Sequence, residues 1–178
     1  MAIRSALAIL TALVVLVSGA RPAQAQFRNM GWGDSTPGHM ELVIDCGQPP
    51  PDATLVVSFV SPVTDIIGIT AVVDMCTKPS DLPDWWRFDL VGGCREGTAE
   101  LGTNFVDGPS SHPSAWSGPV SSSLGIIPGY AWSAAMNRFQ VTVASSGPPL
   151  PLVVGEEYYA FKLRFVTPPG TCAGCEVH

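Results

Sequence analysis

The chain has 178 residues, a formal charge of −6 and only 9 Lys and Arg, which stand scattered. Nothing in it resembles the basic stripe that a phosphate backbone requires, so nucleic acid is not an expected partner. Its 18 Gly and 17 Pro make up about a fifth of the sequence and argue for many short elements joined by turns.

The first element is a leader. Arg4 gives it a positive start, Ala6 to Val17 is apolar or small apart from Thr11, and Ala23-Gln24-Ala25 supplies a small-x-small cleavage pattern. Residues 1–25 therefore read as a cleaved signal peptide, and a secreted or periplasmic location is expected. Removing these 25 of the 178 residues leaves 153, enough for one domain with a sizeable core. Arg4 and Arg21 leave with the leader, so the formal charge of −6 falls to −8. Past the leader no run approaches the roughly 20 apolar residues of a membrane helix, and no insertion of the mature chain is expected. The first cysteine is Cys46, too far from the cleavage point to carry a lipid anchor there.

Residues 26–39 read as a flexible or edge-hugging arm, with Gly31-Trp32-Gly33 as its one means of attachment. The domain proper is expected over 40–178. Met40 to Cys46 alternates, with Met40, Leu42, Ile44 and Cys46 on one face, and predicts a half-buried strand. After Pro49-Pro50-Pro51-Asp52, Thr54 to Val60 repeats the period with Leu55, Val57 and Phe59 inward. Ile66 to Met75 is rich in β-branched residues and places Ile67, Ile69, Ala71, Val73 and Met75 on one side. Trp85 to Val91 predicts a fourth strand, with Trp86, Phe88 and Leu90 inward and Trp85, Arg87 and Asp89 outward. Residues 92–128 lose the pattern and predict a long irregular excursion holding at most one or two short strands. A single helical turn fits Ser133 to Asn137. Phe139 to Ala144 and Glu157 to Val166 complete the strands, with Tyr159, Phe161, Leu163 and Phe165 inward. Six short strands without helical periodicity predict an all-β fold, a single antiparallel β-sandwich.

Five cysteines follow the leader, and an exported chain favours bridges over free thiols. Cys76 and Cys94 flank the tryptophan segment, and a bridge closing that loop of about 19 residues would contribute up to about 3 kcal/mol. That pairing is the preferred body disulfide, which leaves Cys46 as the unpaired candidate or as a partner for the tail. About 15 arrangements leave one cysteine over. The tail pattern Cys172-Ala173-Gly174-Cys175 is the sharpest local signal, and its first reading is a structural disulfide, either within the pair or from one of them back to the body. A redox pair wants the first cysteine at a helix N-terminus, whereas Pro168-Pro169-Gly170 precedes this one. A metal site built from Cys172, Cys175 and His178 lacks a fourth ligand, and haem attachment needs histidine where Glu176 stands. No cofactor is expected.

Trp85, placed opposite Trp86 and beside Arg87, is the first candidate for ligand contact, with Trp116 in the excursion as a second aromatic surface. An exposed tryptophan stacks on a sugar ring or anchors a protein. A possible extracellular protein or carbohydrate is therefore the expected kind of partner. Asp74, Asp81, Asp84 and Asp89 cluster around the third and fourth strands; paired carboxylates serve glycoside hydrolysis, but turn aspartates commonly bond their own backbone. Neither His39 nor His112 sits in a HExxH motif, GxSxG is absent, and Ser110, Ser111 and Ser114 around His112 read as loop polarity.

From Ile66 onward several segments carry a resemblance: Gly68-Ile69-Thr70-Ala71-Val72-Val73-Asp74, Leu82-Pro83-Asp84-Trp85-Trp86-Arg87-Phe88, Gly93-Cys94-Arg95, Gly155-Glu156-Glu157-Tyr158-Tyr159-Ala160-Phe161 and Cys172-Ala173-Gly174-Cys175. The chain resembles a group of uncharacterised exported bacterial proteins with immunoglobulin-like or cohesin-like β-sandwiches. The resemblance implies a fold and no activity. It also implies a further cysteine and a closing strand after Cys-Ala-Gly-Cys, whereas this sequence stops at His178, which would leave one cysteine without its partner. The expectation is an exported, non-catalytic sandwich with a structural or binding role. The alternatives are an extracellular hydrolase of polysaccharide or protein using Asp81, Asp84 and Asp89, and a metal or redox role for the tail.

Overall fold

Alternating apolar residues on two sets of strands can leave water only by facing each other, and here they do. The computed structural model of the protein describes residues 26–34, 42, 53–76, 82–106, 108–128, 136–166 and 172–174. Among the described residues the strands are β1 (Gln26–Trp32), β2 (Ala53–Val60), β3 (Asp65–Ile66), β4 (Gly68–Cys76), β5 (Ala99–Gly102), β6 (Val120–Pro128), β7 (Met136–Ser145), β8 (Leu150–Pro151) and β9 (Glu157–Phe165). One sheet runs β1-β2-β9-β5, a second runs β4-β7-β6, and β3 pairs with β8 in a short ribbon. All strand pairings are antiparallel. The fold is an all-β antiparallel sandwich.

The two inner faces meet through Leu55, Val57 and Phe59 of β2, Phe161, Leu163 and Phe165 of β9, and Phe139, Val141 and Val143 of β7. Phe88, Phe139 and Phe165 form an aromatic triangle across the layers, with ring centroids 5.2 to 5.6 Å apart. Such tilted and edge contacts add about 0.5–1.5 kcal/mol per pair to the burial itself.

Four predicted strands are present, with β2, β4, β7 and β9 in place of Thr54 to Val60, Ile66 to Met75, Phe139 to Ala144 and Glu157 to Val166. Their details need correction at two points. Ile67, expected inward, is exposed, because the chain breaks there between β3 and β4. Tyr159, also expected inward, faces out: β2 and β9 pair Val57 with Phe161 but Ser58 with Tyr159, so Ala160 is an extra residue and the phase of β9 flips across it. Tyr158 thereby takes the inward place beside Phe59.

Residues 26–32 form a strand at the edge of the first sheet, which fits the edge-hugging alternative and not the flexible one. They pair with β2, and Trp32 packs against Phe165 at 6.0 Å. Trp85 to Val91 is not a strand. Pro83 precedes a 3-10 turn over Asp84–Trp86 that buries Trp85, and Phe88, beyond the turn, is buried as well. Within 92–128, β5 is short as expected, but β6 is a full nine-residue strand. Met136 and Asn137, expected to end a helical turn, open β7; the rest of that turn lies outside the described residues. So does the predicted strand over 40–46, except Leu42, which is exposed where burial was expected.

Candidate functional site

Beyond the end of β5, the free edge of β9 is taken over by the excursion. The Tyr159 N–H donates to Pro113 O at 2.9 Å and the Ala115 N–H donates to Tyr159 O at 3.1 Å, giving a short parallel bridge between Ser114 and Tyr159. The indole Nε1–H of Trp116 donates to Ala160 O, at the residue where β9 bulges. Trp116 is consequently drawn into the core and only 8% exposed. Backbone groups freed by the bulge thus fix a loop that composition alone would leave loose.

The outward residues of this corner form one connected polar cluster. Ser58 is fully buried in β2, and its hydroxyl donates to Glu157 Oε1 at 2.6 Å. The Asn29 amide of β1 donates to the same oxygen at 2.7 Å, and His112 Nε2 lies 3.7 Å from it. Tyr159 lies edge-on to His112 at 5.4 Å, stacks on Phe105 at 4.8 Å and shares a hydrogen bond of 2.7 Å with Ser111 Oγ. Two loop aromatics, a histidine and a carboxylate are therefore tied to three adjacent strands.

Phe105 and His112 also face the other way, onto an open cleft of about 560 Å³ whose walls are residues 103–106, 109–110, 112, 114, 116–118 and 120. Trp116 and Phe105 give it apolar walls, and Thr103, Asn104, Ser110 and Ser117 line it with polar groups. Among the described residues His112 is its one ionisable lining residue. The volume falls within the range of small-molecule sites.

Of the three residues proposed for ligand contact, Trp116 alone lines this cleft. Trp85, expected on an exposed face, is 6% exposed, and the Arg95 guanidinium covers it at 4.7 Å while also lying 4.6 Å from the Phe88 ring. Burial pushes the Arg95 guanidinium down to about 10. Arg87 is half-exposed and sits 3.5 Å from Asp89.

The cysteines require a further correction. Cys94 pairs with Cys172, not with Cys76, at a Cα separation of 5.9 Å, and Cys76 is an exposed free thiol. The physical reason lies in the tail. The Trp85 N–H donates to Ala173 O at 2.9 Å, and Gly174 lies so close to Pro83 that any added Cβ would collide with it. Residues 172–174 are thus laid against the 3-10 turn, next to Cys94. Cys46 and Cys175 lie outside the described residues.

Among the described residues the aspartates make separate contacts. Asp74 on β4 takes two hydrogen bonds from Arg138 on β7, at 2.7 and 2.8 Å, and its carboxyl is held below the ordinary 3.8, first by that hydrogen bonding. Asp84 begins the 3-10 turn, Asp89 faces Arg87, and Asp81 lies outside the described residues. Among the described residues no three His, Cys, Asp or Glu side chains group as metal ligands. Comparison with family models, curated proteins and solved structures finds no match.

Sequence reasoning singled out Trp116 and passed over the residues around it. His112 and its serines carried a weak signal, and the buried Ser58 inside an apolar strand was a stronger one. Asn29, Phe105 and Glu157 had none, since only the fold brings them together.

Proposed function

We propose that this chain is an exported, non-catalytic β-sandwich module that binds an extracellular carbohydrate or protein in the cleft between residues 103 and 120. The immunoglobulin-like or cohesin-like kind of sandwich belongs to the same proposal. The observation that carries it is the cleft itself, in which walls pinned to β9 hold polar and aromatic groups, with His112 the one ionisable member among the described residues. A binding site needs pre-formed walls and a few polar anchors, and both are supplied here.

Support for export comes from the leader and from the Cys94–Cys172 bridge, since disulfides persist in oxidising compartments. Support for binding over hydrolysis comes from the engagement of the carboxylates. Glycoside hydrolysis asks for two carboxyl groups facing each other across a substrate. Here Asp74 is held by Arg138, Asp89 by Arg87, and Glu157 by Asn29 and Ser58.

The test is a turnover assay of the exported protein on polysaccharide and peptide substrates. No product is the expected outcome for both wild type and Asp84→Asn. Reproducible turnover, lost on a single Asp→Asn or Glu→Gln change, would establish the hydrolase instead. N-terminal sequencing of the exported protein is expected to begin at Gln26.

A further inference from the structure

The cleft lining has a chemistry that narrows its ligand. Thr103, Ser110 and Ser117 make no hydrogen bond to the protein among the described residues, so three hydroxyls are available as both donors and acceptors. Asn104 uses its amide oxygen to accept the Val106 N–H at 2.9 Å, which orients the amide and leaves its NH2 free. Ser114 accepts the Trp116 N–H at 3.1 Å and keeps its own proton to donate. The aromatic walls are held before any ligand arrives: Phe105 by its stack on Tyr159, Trp116 by its bond to Ala160 O.

Among the described residues no carboxylate, lysine or arginine lines the cleft; Asp107, next to Val106, lies outside them. Among the described residues Glu157 stands 3.7 Å from His112, and the Lys162 ammonium lies over the Phe105 ring at 5.7 Å. An ionised ligand would give up hydration there without a countercharge among these lining residues. A neutral polyol matches every group present. Its hydroxyls pair with the serines, Thr103 and Asn104, and its CH groups lie against the part-exposed Phe105. An extended peptide asks instead for a row of backbone partners such as a free sheet edge, and these walls are loop side chains.

We infer that the cleft between residues 103 and 120 binds a neutral oligosaccharide longer than a single sugar. This inference rests on the reading of the chain as an exported binding module and assigns that module its ligand class. The ligand is recognised by hydroxyl and aromatic contacts and not by charge.

The experiment titrates the intact exported protein with neutral oligosaccharides from cellulose, xylan and mannan, with polygalacturonate as the charged comparator and with a set of neutral peptides. Binding is followed by calorimetry and tryptophan fluorescence. At least one neutral oligosaccharide binds and changes the fluorescence. Gly118→Phe, at a position where a Cβ meets nothing within 4 Å, fills the cleft and weakens binding about tenfold or more at unchanged Tm. Asn104→Ala, on an exposed residue, weakens it about threefold to tenfold, whereas Val72→Ser on the other sheet leaves it unchanged.

Failure of every neutral saccharide to bind, preference for polygalacturonate, or saccharide binding indifferent to Gly118→Phe would each overturn the inference. Binding of a peptide alone, blocked by Gly118→Phe, would overturn the ligand class and leave the module reading standing. Cleavage of a bound saccharide would do the reverse, removing the non-catalytic reading and keeping the ligand class.

Discussion

Strand β7 alternates along most of its length, with Phe139, Val141 and Val143 buried and Gln140 exposed between them, whereas β2 runs from Leu55 to Phe59 without one exposed residue. The two strands lie in facing sheets and share one core. Their difference is on the outer faces. In β4-β7-β6 that face is wet and carries Thr70, Val72, Gln140 and Ser123, while in β1-β2-β9-β5 it carries the Asn29, Ser58, Glu157 and Tyr159 cluster beneath the 103–118 excursion. One sheet therefore closes the core, and the other also serves as the foundation of a loop site. The candidate site stands where a strand has been given two faces to bury.

The sharpest way to break this contrast is to truncate one outward residue on each sheet. Tyr159 is 0% exposed and Val72 is 53% exposed, although both point away from the core. Tyr159→Ala is expected to cost about 3 kcal/mol or more, and Val72→Ala to stay within about 0.5 kcal/mol, in urea unfolding. Equal effects would mean that the excursion does not cover the β9 face.

Removing the Cys94–Cys172 bridge ranks next. The bridge spans 78 residues, for which the chain-entropy estimate is about 4.5 kcal/mol, and native disulfides typically deliver about 2–4. A Cys94→Ala/Cys172→Ala double variant is expected to lose stability in that range, whereas Cys76→Ser is expected to be nearly silent. Alkylation without reductant should label Cys76 and spare Cys94 and Cys172. Labelling of Cys94 in the folded protein would show the pairing to be wrong.

The same contrast explains what could be read in advance. Alternation is visible when one face meets water, so β4 and β7 declare themselves in sequence. It fails at β9, because the single extra residue Ala160 moves Tyr159 to the outer face without changing the apolar character of the run. It fails at Trp85 because Pro83 leads into a 3-10 turn over Asp84–Trp86, which is not a strand and turns Trp85 into the interior. β6 was hidden by its composition, since Ser121 to Ser123 look like loop whether they face in or out. The bridge could not be read from spacing, because the tail reaches Cys94 through the Trp85 backbone bond to Ala173. The cleft was legible only through Trp116. Its other walls gain meaning from the way the excursion is hung on Tyr159.

Glu157 tests the outer cluster more gently. Replacing it with Ala leaves the buried Ser58 hydroxyl and the Asn29 amide without their acceptor, and a cost of about 1–3 kcal/mol is expected. Glu157→Gln keeps an acceptor in place and should recover part of that loss, so a variant pair with equal losses would argue against hydrogen bonding as the cause.

The smallest expected effect belongs to the open sheet. Asp74 and Arg138 form a two-bond pair across β4 and β7, but the aspartate side chain is 36% exposed, and solvent screening limits such a pair to less than about 1 kcal/mol. Hydrogen bonding from Arg138 depresses the folded carboxyl below the ordinary 3.8, so the folded state binds fewer protons than the unfolded state in the interval between the two values. The pair's contribution is therefore complete above 3.8 and lost as pH falls through the lower folded value. Asp74→Asn should be slightly less stable than wild type at neutral pH, with the gap closing on acidification and shrinking in 1 M salt, where the screening length is about 3 Å. A gap that persists at pH 2 would mean that the two side chains support β4 by packing rather than by charge.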